Sequence, residues 1–228
     1  MMRTANPTLN AKTFTGYGRP YEATEAMTIG GTVNKTGVLL FLTFVPAAWV
    51  WQKFFTSHDP AIVFPYLIGG AIGGFVVALI TVFKKNWAIV TAPLYAVLEG
   101  LVLGGLSATF EARFPGIVIQ AVGLTFGTLF ALLLAYKSGV IKATENFKLG
   151  VVAATGGIAL VYLAGFVLGF FGVSIPYIHG SGTIGILFSL VVVVIAALNL
   201  VLDFDFIESG AASGAPKYME WYAAFGLL

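Results

Sequence analysis

The sequence predicts an all-α membrane protein, a polytopic bundle of six full helical spans followed by the start of a seventh. Of its 228 residues, 58% are hydrophobic and only 10% are charged, whereas soluble domains carry about 25% charged residues. A mean hydropathy of +0.94 is also typical of chains that reside in a bilayer. The distribution of basic residues between the loops then indicates how the spans are oriented.

Six apolar segments are long enough to cross a bilayer, which requires about 20 helical residues. We expect them at about 37–55, 61–83, 88–110, 117–136, 149–172 and 183–204. A seventh apolar segment, "MEWYAAFGLL", extends from Met219 only to Leu228 and is too short to span. We interpret residues 1–36, which are polar and rich in Thr, Asn, Gly and Pro, as a flexible cytoplasmic tail. Residues 37–228 form the predicted transmembrane bundle, with its seventh helix cut short.

Lysine and arginine are divided unevenly between the two ends of the predicted spans. If the spans alternate in direction, ten of the twelve basic residues share one side, and only Lys53 and Arg113 lie on the other. Cytoplasmic loops carry the excess of basic residues in membrane proteins, so the N-terminus is expected in the cytoplasm. The ten are Arg3, Lys12, Arg19, Lys35, Lys84, Lys85, Lys137, Lys142, Lys148 and Lys217.

Residue types exclude some kinds of site and argue against others. The chain has no cysteine, which excludes disulfides and thiolate metal sites. Its two histidines, His58 and His179, fall in predicted outer loops. Because no catalytic Ser/His/Asp or zinc-ligand spacing appears, we do not expect an enzyme or a cofactor. The expected partners are the lipid bilayer and small ions rather than nucleic acid, and the sequence identifies no protein partner.

Pairs of glycines four residues apart predict close helix packing. Such pairs let helix backbones approach each other in lipid, where apolar burial does not drive association. They occur at Gly69/Gly73, Gly70/Gly74, Gly100/Gly104, Gly123/Gly127 and Gly165/Gly169. We expect all of them to serve packing alone.

Four acidic residues lie within or at the end of the predicted spans. Glu99 is near the middle of span three, where an ionised acid costs about 2.5–3.5 kcal/mol on insertion scales. Asp203, Asp205 and Glu208 follow the apolar run of span six in "LNLVLDFDFIESG", and we place the two aspartates in its last turn. Helix C-termini disfavour anions, so three acids there conflict with local preference, as is expected at functional sites. The alternative is that they are ordinary interfacial acids. The other acids, Glu220 among them, are expected to be solvated.

The two aspartates cannot face the same neighbour, because residues two apart on a helix are separated by about 200°. Asp203 shares a face with Asn199, one turn earlier, and we expect that face to point inward. Asp205 and Glu208 are expected nearer the headgroups.

No basic residue lies within a predicted span to pair with these acids. The acids could instead be stabilised by a shared proton, a bound cation or an acid–acid hydrogen bond. Each of these would make the site sensitive to pH. Carboxylate and carbonyl oxygens are ligands suited to calcium rather than zinc. Asp203 and Asp205 are therefore candidate calcium ligands.

Two stretches carry a resemblance to a known family. "PLYAVLEGLVLGG" in span three, followed by a sixth span ending in "VLDFDFIE", resembles the Bax inhibitor family (transmembrane Bax inhibitor motif proteins) in its bacterial branch. The similarity covers roughly residues 35–228. It implies a bacterial inner-membrane protein in which six helices surround a central seventh, with pH-dependent calcium leak as the activity.

The family resemblance also implies roles for particular residues. A pair of acids, one on helix six and one on helix seven, acts as pH sensor and gate in the family. Asp203 or Asp205 matches the helix-six acid, with Asp203 preferred for its shared face with Asn199, and Glu99 matches a glutamate of helix three. The helix-seven acid is expected beyond Leu228. Some members pair the gate with an arginine in helix two, which this chain lacks; Lys84 or Lys85 would be the substitute, reaching Asp205 or Glu208.

Three functions follow from these observations as alternatives. The first is a pH-sensitive cation leak channel, with calcium as the expected ion. The second is a proton-coupled transporter that uses Glu99 as its proton carrier. The third is a non-transporting regulator of another membrane complex.

Overall fold

The computed structural model describes residues 26–57, 59–172 and 182–228. Within these residues the chain forms seven α-helices and no β-strand, which confirms the predicted all-α class. Most of the predicted tail, residues 1–25, and both histidines lie outside the described residues. The helices are α1 (Ile29–Ser57), α2 (Phe64–Phe83), α3 (Ala88–Arg113), α4 (Ile117–Lys137), α5 (Glu145–Phe170), α6 (Thr183–Ala212) and α7 (Met219–Leu227).

Helices α1 to α6 are each long and apolar enough to cross a membrane, which confirms the six predicted spans. Two of the helices extend eight residues beyond their predicted ends. Helix α1 begins at Ile29 rather than at residue 37, because the Thr28 hydroxyl caps it by accepting a 2.9 Å hydrogen bond from the Gly31 N–H. Helix α6 continues to Ala212, eight residues past its predicted end at residue 204.

The chain divides into two compact units, which we describe separately. The first, the α3 unit, contains residues 26–126 together with Ile207–Leu228. Helix α3 is its centre and packs against α1, α2 and α7. One core cluster joins Leu39 of α1 with Ala92 and Ala96 of α3 and with Ala224 and Phe225 of α7.

Two glycines of α3 and one of α2 make close backbone contacts in the α3 unit. A Cβ atom added at Gly100 would overlap the Thr43 carbonyl oxygen of α1, and one added at Gly104 would lie 2.5 Å from the Ala47 carbonyl oxygen. A Cβ at Gly70 would lie 2.7 Å from the carbonyl oxygen of Leu98. These distances are too short for any side chain. In contrast, Cβ atoms added at several glycines of the predicted pairs would meet nothing within 4 Å, namely Gly69, Gly123, Gly127 and Gly169.

The second unit, the α5 unit, contains Gly127–Phe206 in the described residues. Side-chain pairs join its helices: Tyr162 of α5 lies 6.1 Å from Phe188 of α6 between ring centroids. Many of its large apolar side chains are exposed, for example Leu160 at 67% and Phe166 at 66%. Exposed apolar surface of this extent suits a helix that faces lipid.

Candidate functional site

The acidic stretch of α6 is helical throughout, so its acids do not stand at a helix end as expected. Nine helical residues follow Asp203, ending at Ala212. The reason for the error is that hydropathy falls at the acids, whereas the backbone hydrogen bonding of the helix continues. Asp203 is buried with 5% of its surface exposed, and Glu208 is exposed. The helix therefore presents Asp203 to protein and Glu208 to solvent.

Asp205 is paired with a lysine other than the expected Lys84 or Lys85. Lys148 Nζ lies 2.7 Å from Asp205 Oδ2 and 3.4 Å from Glu145 Oε1. Lys148 was expected in the loop before the fifth span. Because α5 begins at Glu145, Lys148 instead lies in the first turn of that helix and is only 8% exposed. A buried ammonium of this kind requires a partner, and Asp205 supplies it.

Asn199 links α6 to α5 one turn before Asp203. Its amide nitrogen donates to the Thr155 hydroxyl and to the Ile195 carbonyl, each at 2.8 Å, and the Thr155 hydroxyl donates in turn to the Val151 carbonyl at 2.9 Å. The Asn199 Oδ1 atom is buried and has no hydrogen-bond partner in the described part of the chain. This unused buried acceptor, one helical turn from the buried Asp203, is able to accept a further hydrogen bond.

Glu99 lies in the α3 unit, on the central helix of that unit. It is half-buried and hydrogen-bonded to the Tyr95 side chain, one turn earlier on α3. Tyr95 itself packs edge-to-face on Phe225 of α7, with 4.9 Å between ring centroids. The structure thus places Glu99 beside the core cluster that seats α7, whereas Asp203, Asp205 and Asn199 come together in the α5 unit.

Lys84 and Lys85 were the predicted charge partners of Asp205 or Glu208. Lys85 Nζ lies above the ring of Tyr222 at 5.7 Å from its centroid. The pairing of either lysine with the α6 acids stays a prediction, but Asp205 has its partner in Lys148. Across residues 26–57, 59–172 and 182–228, no three His, Cys, Asp or Glu side chains come close enough to hold a metal ion. Calcium ligation by Asp203 and Asp205, as a bound or a transported ion, stays a prediction.

Glu220 was expected to be solvated, and this was wrong. Its side chain is fully buried in the first turn of α7, at the N-terminus of α1. Oε1 accepts hydrogen bonds from the Thr28 N–H at 3.0 Å and from the Thr28 hydroxyl at 2.9 Å. Lys217 Nζ lies 3.0 Å from Oε1 and Lys35 Nζ lies 3.2 Å from Oε2. Oε2 itself accepts no aligned hydrogen bond in the described residues, so Lys35 holds it by charge alone.

The contacts of Glu220 keep it ionised. Burial by itself works against the charged form, but the contacts with Lys217, Thr28 and Lys35 outweigh burial and lower the pKa of Glu220 below its usual value. Gly31 completes this pocket, since a Cβ atom at that position would overlap the Glu220 carboxylate. Glu220 also lies where the positive end of the α1 helix dipole favours an anion. The only sequence signals were the Lys217–Glu220 spacing and the Thr28 cap, and neither predicts burial.

Comparison with known proteins places this architecture in a family. The family described as Bax inhibitor 1 like matches residues 6–228. The matched range includes all seven described helices and every acid discussed above. Searches among curated proteins and among solved structures found no match. Membership of the bacterial branch stays a prediction from the sequence resemblance. The chain is an integral, multi-pass membrane protein and belongs to the Bax inhibitor 1 like family.

Proposed function

We propose that this chain forms a pH-sensitive leak pathway for cations, with calcium as the transported ion, and that carboxyl groups of α6 gate it. The observation that carries the proposal is the burial of Asp203, at 5% exposure, in a helix that is long and apolar enough to cross a membrane. Family membership supports a channel-like role. The proposal includes no enzymatic step and no resident cofactor, and it places the protein in a bacterial inner membrane.

The gating rests on the electrostatics of a buried carboxyl group. An ionised aspartate costs about 2.5–3.5 kcal/mol at the centre of a membrane helix on insertion scales and less towards the interface, so binding a proton or a cation stabilises a buried Asp203. Calcium favours carboxylate and carbonyl oxygens, and Asn199 Oδ1, one turn away, is an unused acceptor. Protons and calcium therefore compete for one carboxyl group. Low pH closes the pathway by protonating it, and higher pH opens it by restoring the charge.

The contact with Lys148 distinguishes Asp205 from Asp203. The Lys148 ammonium group, 2.7 Å from Asp205, already neutralises the Asp205 charge. Asp203 faces a different direction on the helix and is the more deeply buried of the two. We therefore assign proton sensing to Asp203. Asp205 and Lys148 fix the position of α5 against this part of α6.

The test is calcium flux into liposomes containing the full chain, followed with an entrapped indicator over roughly pH 6 to 8, a range in which buried carboxyl groups titrate. We expect Asp203→Asn to remove the dependence of flux on pH. Asp205→Asn should keep that dependence, because it removes a charge that Lys148 already neutralises. Glu99→Gln is the matched control, a half-buried acid of another helix. A pH profile that survives both aspartate substitutions would sink the proposal.

The same preparation distinguishes the two alternative functions. The Glu99–Tyr95 hydrogen bond in the central helix is the observation that favours a proton-coupled transporter. That function predicts counter-flow of a solute under an imposed pH gradient and its loss in Glu99→Gln. A non-transporting regulator predicts no ion flux at any pH together with a stably co-purifying protein.

A further inference from the structure

Lys53, in the last two turns of α1, carries a positive charge that no carboxylate of the described chain neutralises within ion-pair distance. Aromatic groups hold it instead. Its ammonium donates to the Tyr66 hydroxyl at 3.3 Å and lies 4.7 Å from the ring centroid of Trp49. Trp49 and Tyr66 pack edge-to-face with 5.1 Å between centroids. A half-buried cation in an aromatic setting is still able to attract an anion.

An apolar groove of about 500 Å³ begins beside this cluster and is open to the outside. Trp49 belongs to both the cluster and the groove. The walls of the groove are apolar throughout. They are formed by Phe41, Leu42, Val45, Pro46 and Trp49 of α1 and by Val97 of α3. Phe41 is 66% exposed and Trp49 is 44% exposed. The groove therefore offers surface for a flexible hydrocarbon chain rather than a sealed cavity.

The dimensions of the groove and the cluster match one leaflet of a bilayer. Phe41 and Trp49 are separated by eight helical residues, or about 12 Å, and Lys53 lies about 6 Å farther along α1. Half of a bilayer's hydrocarbon core is about 15 Å. With the aromatic cluster at the interface, where Trp and Tyr are enriched, the groove extends inward over most of one leaflet.

We propose that this part of the α3 unit binds an anionic phospholipid of the leaflet that faces Lys53. The headgroup phosphate lies at the Lys53 ammonium, and one acyl chain follows the groove from Trp49 to Phe41. The Tyr66 hydroxyl accepts from Lys53 and retains its own hydrogen for donation to a phosphate oxygen. A zwitterionic headgroup binds more weakly, because its own ammonium group competes with Lys53 for the phosphate. The proposal is independent of the leak function.

The test measures lipid selectivity with spin-labelled lipids. The full chain is reconstituted in phosphatidylcholine vesicles, and the motionally restricted fraction of labelled phosphatidylglycerol is compared with that of labelled phosphatidylcholine. The unaltered protein should prefer phosphatidylglycerol, and the preference should weaken at high salt. Lys53→Gln should lower the preference about fivefold, the effect of one lysine near an anionic membrane surface. Lys53→Arg should retain it.

Two matched controls decide the outcome. Arg113→Gln removes the other basic residue of the same predicted side, one that lies over the Phe114 ring but not at the groove, and should leave selectivity unchanged. Val45→Trp fills the groove and should reduce the restricted fraction of both lipids, whereas Val90→Trp, at a 71% exposed position outside the groove, should not. Unchanged selectivity in Lys53→Gln, or an equal loss in Arg113→Gln, overturns the proposal. Equal binding in Val45→Trp and Val90→Trp overturns the placement of the acyl chain.

Discussion

Replacing Glu220 with glutamine removes the negative charge at the N-terminus of α1 but keeps the volume of the side chain. The substitution loses the ionic contacts with Lys35 and Lys217 and turns a hydrogen-bond acceptor into a donor beside two ammonium groups. Hydrogen bonds to a charged group contribute about 1.5–3 kcal/mol each. We expect α7 to lose its attachment to α1 first, because this buried carboxylate bonds to Thr28 and Lys35 at the N-terminal end of α1.

The net cost is smaller than the sum of these contacts. The desolvation penalty of the carboxylate is relieved when the charge disappears. The side chains of Lys35 and Lys217 are 27% and 49% exposed, so water can solvate them once Glu220 is neutral. Solvent screening also reduces what the two ion pairs contribute to stability. The expected loss is about 2–3 kcal/mol, compared with about 3–5 kcal/mol for stranding a fully buried charge.

Thermal unfolding in detergent should show this loss as a fall in Tm of about 4–12 °C, by the scaling for domains of this size. Hydrogen exchange of the Thr28 amide, which donates to Glu220 at 3.0 Å, should accelerate in parallel. The control is Glu145→Gln, which removes an acid that is 67% exposed and 3.4 Å from Lys148, with an expected cost of about 0.5 kcal/mol or less. An unchanged Tm and unchanged Thr28 exchange in Glu220→Gln would refute this account of the cluster.

The Glu220 contribution also depends on pH with a defined sign. Because the pKa of Glu220 is lower in the folded protein than in the unfolded chain, its stabilising effect is complete above the unfolded value of about 4.3. The effect is lost as the pH falls through the folded value. The difference in Tm between the unaltered protein and Glu220→Gln should therefore be constant near neutral pH and shrink in acid. A difference that grows below about pH 4 would contradict this assignment.

Two further predictions use adjacent or equivalent glycines as controls. Gly31→Ala should lower Tm, because its Cβ displaces the buried Glu220 carboxylate. The control Gly30→Ala, whose Cβ would meet nothing within 4 Å, should raise stability by up to about 1 kcal/mol through helix propensity. Equal effects of the two substitutions would contradict the contact between Gly31 and Glu220. Gly100→Ala should cost about 1–3 kcal/mol because its Cβ overlaps the α1 backbone, as measured by thermal unfolding in detergent. Gly123→Ala should be tolerated, and equal losses in the two variants would contradict the close contact between α1 and α3.

The spans could be predicted from the sequence because a membrane helix is selected by apolar content and length, both of which are local. Their ends could not, because a cap or a continued hydrogen-bond ladder decides them. Thr28 starts α1 within a polar segment, and α6 continues through Asp203 and Asp205 because an acidic side chain does not interrupt backbone hydrogen bonds.

The charged clusters were the hardest features to predict, for a related reason. Glu220 accepts from Thr28 at a separation of 192 residues, and no local pattern indicates such a contact. Lys148 was assigned to a loop because the fifth span was predicted to begin at residue 149, four residues after α5 begins at Glu145. Asp203 and Asn199 were chosen from helical periodicity, and the structure buries Asp203 and bonds Asn199 to α5.

The length of α6 has a consequence for how the membrane itself acts on the acids. Thirty helical residues extend about 45 Å, whereas the hydrocarbon core is about 30 Å thick. Asp203 lies twenty residues, or about 30 Å, from Thr183, so a helix that enters the core at Thr183 brings Asp203 to the opposite edge. One helical turn is about 5 Å, comparable to the difference in thickness between natural bilayers. Hydrophobic mismatch thus decides whether the Asp203 turn of α6 lies at headgroup level or within the hydrocarbon core, which makes bilayer thickness a variable that acts on the same carboxyl group as pH.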